Sequence, residues 1–281
     1  MRAAFVTCVQ LGLSCMEEIY AAGGTLDLVL TLPDDKARKK SGRVYVDAFC
    51  AERSIPLKKV GHINDAEAIA TIRAAGIDWL CIIGWSQIAG EAALAAPRLG
   101  SLGIHPTLLP EGRGRAAIPW AIIKGLARTG VTLFQLAPGV DTGPIGAQVV
   151  LPLAEDETAA TLYARVNEAH RTLIRQAWPA LAAGTLAFVP QDEARATYWP
   201  GRTPADGRLL ATHSVLEVDR LVRATTRPYP GAFAELEGKV LRVWAGTPVR
   251  GATPPAKGSV RLPCADGAYD ATSYAWEAPP P

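Results

Sequence analysis

The stretch AAFVTCVQLGLSCMEEIYAAGGTLDLVLT, residues 3–31, decides the fold of this 281-residue chain. It opens on an apolar run that indicates a buried strand. A helix is predicted next, because Ser14 and Glu17 have the spacing of a capping box and Gly23 stands where a helix would end. Residues 26–31, which are mostly apolar, are then predicted to form a second strand. Strand, helix and strand in this order favour parallel pairing, since parallel neighbours need a connection of helix length.

The same alternation continues on both sides of residue 105. We expect helices at 44–54, 64–75 and 116–125, with the second capped by Asn64, and a long helix that ends at Gly184. Further strands are expected at 55–60, 79–84, 101–105, 129–136 and 146–153. This order predicts an α/β protein with a Rossmann-like, doubly wound and mainly parallel sheet.

Beyond Pro190 the texture of the sequence changes to short runs broken by proline and glycine. We therefore predict a catalytic domain over residues 1–190, a linker over 191–204, and a small, mostly β C-terminal domain over 205–281. One helix is expected in that small domain, near residues 214–224.

Charge and composition exclude several classes of protein. The formal net charge is only +2, which argues against nucleic acid as a partner. No run approaches the roughly 20 apolar residues of a membrane span, and the N-terminus does not resemble a signal peptide. The five cysteines form no CxxC pair, which argues against a disulfide framework and against a zinc site. We expect a reduced, cytoplasmic protein without a metal.

One histidine stands out by its place in the predicted sheet. His105 ends the strand at 101–105, and ligands of open parallel sheets lie beyond the carboxyl ends of strands. A lone histidine in such a place can also simply cap a loop. Asp141 lies in the turn PGVDTGPI, where proline stiffens the backbone and glycine permits unusual dihedral angles. The other three histidines are expected on the surface: His62, His170 and His213.

Four motifs in order, HPTLLP, RGRAAIPWAI, TGVTLFQL and GVDTGPI, closely resemble those of the folate-dependent formyltransferases, and most of all the sugar N-formyltransferases. The resemblance implies that His105 and Asp141 are the catalytic pair and that 10-formyltetrahydrofolate is the formyl donor. It also implies that the donor is bound by Asp141 and by a set of loop residues, which comprises Gly84, Trp85, Ser86, Gln87, Ile88 and Val140.

The chemistry explains these residue types. Formyl transfer to an amine needs stabilisation of the developing oxyanion and two proton transfers, which a histidine beside a carboxylate can perform. The family pattern has an asparagine two residues before the histidine, where this chain has Gly103. Losing an oxyanion donor typically costs about 100- to 1000-fold in turnover. Water or a backbone N–H near Gly103, or the side chain of Ser86, Gln87 or Thr107, could replace it, and an inactive site is the other reading.

The acceptor is predicted to be the amine of a small, nucleotide-linked amino sugar. Arg113, Arg115 and Thr107 are the expected substrate-binding residues, although Arg113 could equally hold loop carbonyls together. The basic segment 34–43 is either a solvated loop or a grip for two phosphates. Methionyl-tRNA, a hydroxyornithine-type amine and a non-catalytic folate- or nucleotide-binding role remain as alternatives. The family resemblance also suggests a homodimer.

Overall fold

A computed structural model describes residues 1–37, 43–85, 87–236, 238–251, 253–255 and 257–277. The chain divides into two compact units. The first contains Met1–Arg113, Gly130–Leu151 and Val166–Tyr198. The second contains Gly114–Thr129, Pro152–Arg165 and the described residues from Trp199 onward. The division at residues 191–204 into a catalytic and a small domain stays a prediction.

The first part of the chain alternates strands and helices as predicted. The strands are β1 Ala3–Val6, β2 Leu28–Thr31, β3 Leu57–Lys59, β4 Trp79–Ile82, β5 Gly100–His105, β6 Arg113–Gly114, β7 Arg128–Gln135 and β8 Ile145–Pro152. The helices are α1 Gln10–Ala21, α2 Asp34–Ala37, α3 Asp47–Glu52, α4 Ala66–Ala74, α5 Glu91–Leu94, α6 Ala117–Ile123 and α7 Ala159–Ala182.

Seven of these strands form one sheet in the order β3-β2-β1-β4-β5-β7-β8. Neighbours from β3 to β5 pair in parallel, and β5 pairs with β7 antiparallel. Strands β2 and β3 lie on one side of β1, and β4 and β5 lie on the other side. The strand order therefore reverses between β1 and β4. This confirms the predicted Rossmann-like, mainly parallel sheet, and its reversal point is where such folds open a crevice for ligands.

The core of the sheet follows from its apolar strands. All four residues of β1 are fully buried. Ala68 and Ile72 of α4 belong to the same hydrophobic cluster as Ala4 and Val6 of β1. Gly23 ends α1 with a φ of 77°, as predicted. The capping box at Ser14 is wrong, because α1 begins four residues earlier and Ser14 lies buried inside it. Asn64 does not cap α4 either, since the helix begins after Asp65.

The rest of the chain adds a small antiparallel sheet and one more helix. The elements are β9 Tyr198–Trp199, α8 Val215–Thr225, β10 Ala232–Leu236, β11 Lys239–Val249, β12 Val260–Cys264 and β13 Gly267–Glu277. The four last strands pair antiparallel in the order β10-β11-β13-β12. Ser214 and Glu217 form the capping box of α8, whose buried face packs on β11 and on α6. This confirms the predicted small β-rich part with one helix.

Candidate active site

His105 is the last residue of β5, and its ring is almost fully buried. Its Nε2 lies 2.8 Å from the carbonyl oxygen of Gly112. A carbonyl oxygen can only accept, so Nε2 carries a proton and donates it. On the other side of the ring, Nδ1 lies 3.5 Å from Oδ2 of Asp141. Nδ1 is therefore the nitrogen that can gain and lose a proton beside the carboxylate.

Asp141 lies in the loop of residues 136–144, which joins β7 to β8. Its φ is 53°, in the left-handed region that residues other than glycine seldom adopt. The loop closes tightly at Gly143, where a Cβ atom would stand 1.6 Å from the carbonyl oxygen of Gln135. Since no side chain fits there, glycine at this position fixes the path that presents the Asp141 carboxylate.

The structure brings the predicted pair together, but by a different route from the one expected. In a wholly parallel sheet, the carboxyl ends of the strands before His105 and Asp141 would lie at one edge and bring both residues together. This is not how the pair forms, because β5 and β7 are antiparallel and Leu102 pairs with Gln135. The carboxyl end of β7 is thus beside the beginning of β5. The loop 136–144 has to run back along β5 before Asp141 reaches His105.

A side chain that the sequence analysis missed holds this loop. Nε2 of Gln191 donates to the carbonyl oxygens of Asp141 and Gly143, each at 2.7 Å. Oε1 of Gln191 accepts from Nε and Nη2 of Arg113, at 3.1 and 2.9 Å. No motif or spacing singles out Gln191, which falls at the start of the segment predicted as a linker.

Arg113 is fully buried and spends all five of its N–H donors on protein. Besides Gln191, its guanidinium donates to both oxygens of Glu193 and to the hydroxyl of Tyr198. The hydrogen bonds to Glu193 raise the pKa of Arg113 further above its usual range. The assignment of Arg113 to substrate binding therefore needs correction, because no donor is left for a ligand. Arg113 has a structural role instead, although its guanidinium holds the side chains of Gln191, Glu193 and Tyr198 and not the loop carbonyls that the sequence suggested.

The other two residues expected to bind substrate have different surroundings. Arg115 is exposed in the second unit, where its backbone N–H donates to the carbonyl oxygen of Trp199. Its guanidinium therefore stays a candidate for an anionic ligand. Thr107 is buried, and its Oγ1 has no hydrogen-bond partner among the described residues. Both assignments stay predictions.

The position of the missing asparagine is closed by an apolar side chain. A Cβ atom on Gly103 would stand 2.8 Å from Cδ2 of Leu136 and 3.3 Å from the ring of Phe134. Phe134 is the cross-strand partner of Gly103, and Leu136 is the first residue of the loop that carries Asp141. The space into which a side chain at position 103 would extend is thus taken up by Leu136.

The loop after β4, expected to bind the pterin, is held by its own side chains. Gln87 Nε2 donates to the carbonyl oxygen of Gly61, and its Oε1 accepts from the N–H of Ile63 and from the indole of Trp85. Asn64 donates to Ile88 and accepts from Gly90. Because its amide is engaged in this way, Gln87 is poorly placed to replace the missing asparagine.

The remaining loop residues lie as follows. Gly84 has a φ of 68°, and a Cβ atom there would stand 2.4 Å from Val9, so this approach to α1 requires glycine. Ile88 is exposed, and so is Val140 beside Asp141. Ser86 lies outside the described residues. The loop after β4 therefore has a fixed backbone and one exposed apolar side chain, and the loop 136–144 has another.

A second histidine of the first unit is buried, contrary to the expectation that it lies on the surface. His170 on α7 is 1 % exposed, and its Nδ1 donates to the carbonyl oxygen of Val166 at 2.7 Å. Burial, together with a smaller electrostatic effect of His105, lowers the pKa of His170 to about 4, although the hydrogen bond to Val166 acts in the opposite direction. His170 is therefore neutral at pH 7. The helical stripe of Val166, His170 and Leu173 is a signal that could have revealed it.

The structure describes only part of the basic segment 34–43. Residues 38–42 lie outside the described residues, and with them Arg38, Lys39 and Lys40. Arg43 is used within the protein, because Nη1 donates to the hydroxyl of Thr31 and Nη2 to the carbonyl oxygen of Leu32. The idea that this segment grips two phosphates stays a prediction, without Arg43 as a free partner.

No group of three or more His, Cys, Asp or Glu side chains among the described residues is placed to hold a metal ion. None of their helices is long and apolar enough to cross a membrane.

Two family models match this chain. The model described as formyl transferase matches residues 21–177, which is more than half of the chain. The model described as formyl transferase, C-terminal domain, matches residues 202–269.

Solved structures share the fold at low sequence identity. HypX from Aquifex aeolicus, in complex with tetrahydrofolic acid, is 20% identical with a TM-score of 0.67, and the match covers 98% of this chain but 44% of HypX. The N-formyltransferase from Helicobacter canadensis, with folinic acid and dTDP-3-aminofucose, is 15% identical with a TM-score of 0.68, covering 97% and 99%. Glycinamide ribonucleotide transformylase 1 from Symbiobacterium toebii is 21% identical with a TM-score of 0.58, covering 68% and 94%. This chain thus spans less than half the length of HypX.

Proposed function

The chain belongs to the formyl transferase family, and we propose that it moves a formyl group from 10-formyltetrahydrofolate to the amine of a nucleotide-linked amino sugar. The observation that carries the proposal is the contact between the buried His105 ring and the Asp141 carboxylate. The Helicobacter protein, which covers nearly the same length, binds folinic acid and a dTDP-linked amino sugar.

The two side chains divide the proton transfers between them. Nδ1 of His105 takes a proton from the attacking amine, and the Asp141 carboxylate stabilises the imidazolium ion that results. The same nitrogen then returns a proton to the departing folate nitrogen. The Gly112 carbonyl holds the ring in one tautomer throughout, because it binds the proton on Nε2.

The folate supplies the activated formyl group, and the loop after β4 is suited to bind its pterin. Its backbone is fixed by Gln87 and Asn64, and it follows a strand at the point where the strand order reverses. Exposed Ile88 and Val140 offer apolar surface for a flat ring. We further propose a reduced, cytoplasmic setting and a homodimer, the latter on family resemblance alone.

The test is a transfer assay with 10-formyltetrahydrofolate and a panel of amines that includes dTDP- and UDP-linked amino sugars, methionyl-tRNA and hydroxyornithine. We expect release of tetrahydrofolate together with formylation of one nucleotide-linked amino sugar. Formylation of methionyl-tRNA or hydroxyornithine instead would replace the acceptor. A chain that transfers formyl to no amine would end the proposal.

A second candidate is a non-catalytic folate-binding protein. It is favoured by one observation, which is that Leu136 fills the space beside Gly103 where the family has an amide donor. Such a protein would gain thermal stability from a reduced folate, because a ligand that binds only the folded state raises its melting temperature. It would show no turnover under the same conditions.

A further inference from the structure

We propose that Gln191 is a positioning residue for the His105–Asp141 pair, an inference that rests on the proposed function. A primary amide can make four hydrogen bonds, two from its nitrogen and two to its oxygen. The Gln191 amide makes all four hydrogen bonds. Its nitrogen donates to two carbonyl oxygens of the Asp141 loop, and its oxygen accepts two hydrogen bonds from the Arg113 guanidinium.

The partners fix the orientation of this amide. If the amide were flipped, its oxygen would face the carbonyl oxygens of Asp141 and Gly143, and its nitrogen would face a guanidinium. The first contact would place two acceptors together, and the second would place two donors together. Gln191 thus stabilises a backbone that holds Asp141 at a φ of 53°, which is unfavourable for a residue with a side chain.

The same contact reaches the other side of the His105 ring. Arg113, which donates to Gln191, directly follows Gly112, whose carbonyl oxygen accepts from Nε2 of His105. The backbone N–H of Arg113 donates to the carbonyl oxygen of Thr197, and the backbone N–H of Gly112 donates to the hydroxyl of the same threonine. The Gln191–Arg113 contact therefore joins the two groups between which the imidazole lies.

Two substitutions separate the halves of this contact. Gln191→Glu keeps oxygen acceptors for Arg113 but sets a second oxygen against the carbonyls of the Asp141 loop. Gln191→Met removes both halves. We expect both variants to lose about 10- to 100-fold in kcat, with a much smaller change in KM, because displacing a reacting group by about 1 Å costs that much. Glu193→Gln, which alters Arg113 without touching the loop, is the control and should stay within about twofold of the wild type.

The outcomes are distinguishable. If Gln191→Glu keeps the wild-type kcat, Gln191 only anchors Arg113 and the inference is overturned. If the wild-type chain transfers nothing, the proposed function fails, and the His105 ring signals in NMR spectra decide the inference. Gln191→Glu should then shift those signals as Asp141→Asn does, and unchanged signals would overturn it.

A different observation in the second unit carries another inference. A cavity of about 190 Å³ has walls that include Pro119, Pro204 and Pro230, and Arg202 and Tyr229 also line it. The volume is slightly larger than the roughly 150 Å³ cavity that holds benzene in a protein core. It therefore fits a single ring with one small substituent.

Arg202 is one of the residues that line this cavity. Its guanidinium is 4.9 Å from the centre of the Trp120 ring, and Nη2 donates to the backbone oxygen of Asp206. The Asp206 carboxylate accepts instead from Thr203, and no ion pair of the described residues includes Arg202. Burial lowers the pKa of Arg202, and the nearby Asp206 carboxylate offsets this effect only in part.

We infer that this cavity binds a small carboxylate with a compact apolar body. The guanidinium pairs with the carboxylate, and the Tyr229 hydroxyl supplies a second donor. This hydroxyl stays protonated, because burial raises its pKa to about 12.

NMR titration with benzoate and its neutral counterpart benzyl alcohol tests this. Benzoate should bind at least about tenfold more tightly, and Arg202→Met should remove the difference. Arg208→Met, which changes an exposed arginine of the same unit, is the control. Equal binding of the two probes, or none, would overturn the inference.

Discussion

At the scale of single residues, Gly103 and Leu136 decide what can stabilise the oxyanion. Asparagine at position 103 alone would meet Cδ2 of Leu136 at 2.8 Å, so Gly103→Asn should destabilise the fold by about 1–3 kcal/mol without raising kcat. The double variant Gly103→Asn with Leu136→Ala removes the obstacle. Its kcat should rise by about tenfold or more, since an oxyanion donor is worth at least that. Transfer assays and urea unfolding check both expectations, with Leu136→Ala alone as the control. A well-folded double variant no faster than that control would refute this explanation.

His170 gives a residue-scale prediction about pH. Its pKa is about 4 in the folded protein and 6.5 in the unfolded chain, so the unfolded state binds the extra proton between these values. The stabilisation is therefore complete above pH 6.5 and is lost as the pH falls towards 4, by about 3 kcal/mol at most. His170→Gln should flatten this acid limb in urea unfolding between pH 4.5 and 7.5. Equal slopes for the two proteins would show that His170 is not the cause.

At the scale of elements, the path of the loop 136–144 requires glycine at position 143 but not at position 139. A Cβ atom on Gly143 would collide with the backbone carbonyl of Gln135, whereas on Gly139 it would meet only the side chain of Thr142. Gly143→Ala should therefore cost about 2–4 kcal/mol and most of the kcat, while Gly139→Ala should cost about 1 kcal/mol or less. Thermal unfolding and the transfer assay check this pair. Comparable losses in both variants would contradict the argument.

The elements also show what the sequence could predict. Apolar runs placed β1, β4 and β5 correctly, because buried strands and amphipathic helices have distinct periods. Local spacing misled at Ser14, because α1 already begins at Gln10 and Ser14 lies buried inside it. Strand direction was beyond local patterns. The antiparallel pairing of β5 with β7 depends on long-range contacts, and so does the path of Asp141 back to His105.

At the scale of the whole molecule, the motifs identified His105 and Asp141, whereas the residues that hold them were not predictable. Gln191 lies far along the chain from the loop 136–144 that it braces, and no periodicity connects the two. Arg113 had the right sequence context for a ligand-binding residue, but its burial depends on contacts with Gln191, Glu193 and Tyr198, which are distant along the chain. A motif therefore located the chemistry, and only the fold separated reacting groups from supporting ones.

The division of the chain leads to a prediction at the same scale. α6 packs on α8, and Arg223 of α8 donates to the carbonyl oxygen of Glu157. A chain cut after Pro190 would lose α8 and expose Ile118 and Ile122 of α6. Residues 1–190 alone should therefore melt at least about 10 °C below the full chain and bind a hydrophobic dye. A fragment as stable as the full chain would contradict this and support an independent domain of that length.

The most direct test of the central claim is kcat for formyl transfer by Asp141→Asn. Asparagine tolerates the left-handed backbone of position 141, so the loop should keep its path while the charge beside Nδ1 of His105 is removed. We predict a fall of about 100- to 10,000-fold in kcat, with tetrahydrofolate binding retained. A variant that keeps the wild-type kcat would show that the imidazole and the carboxylate do not share the proton transfers.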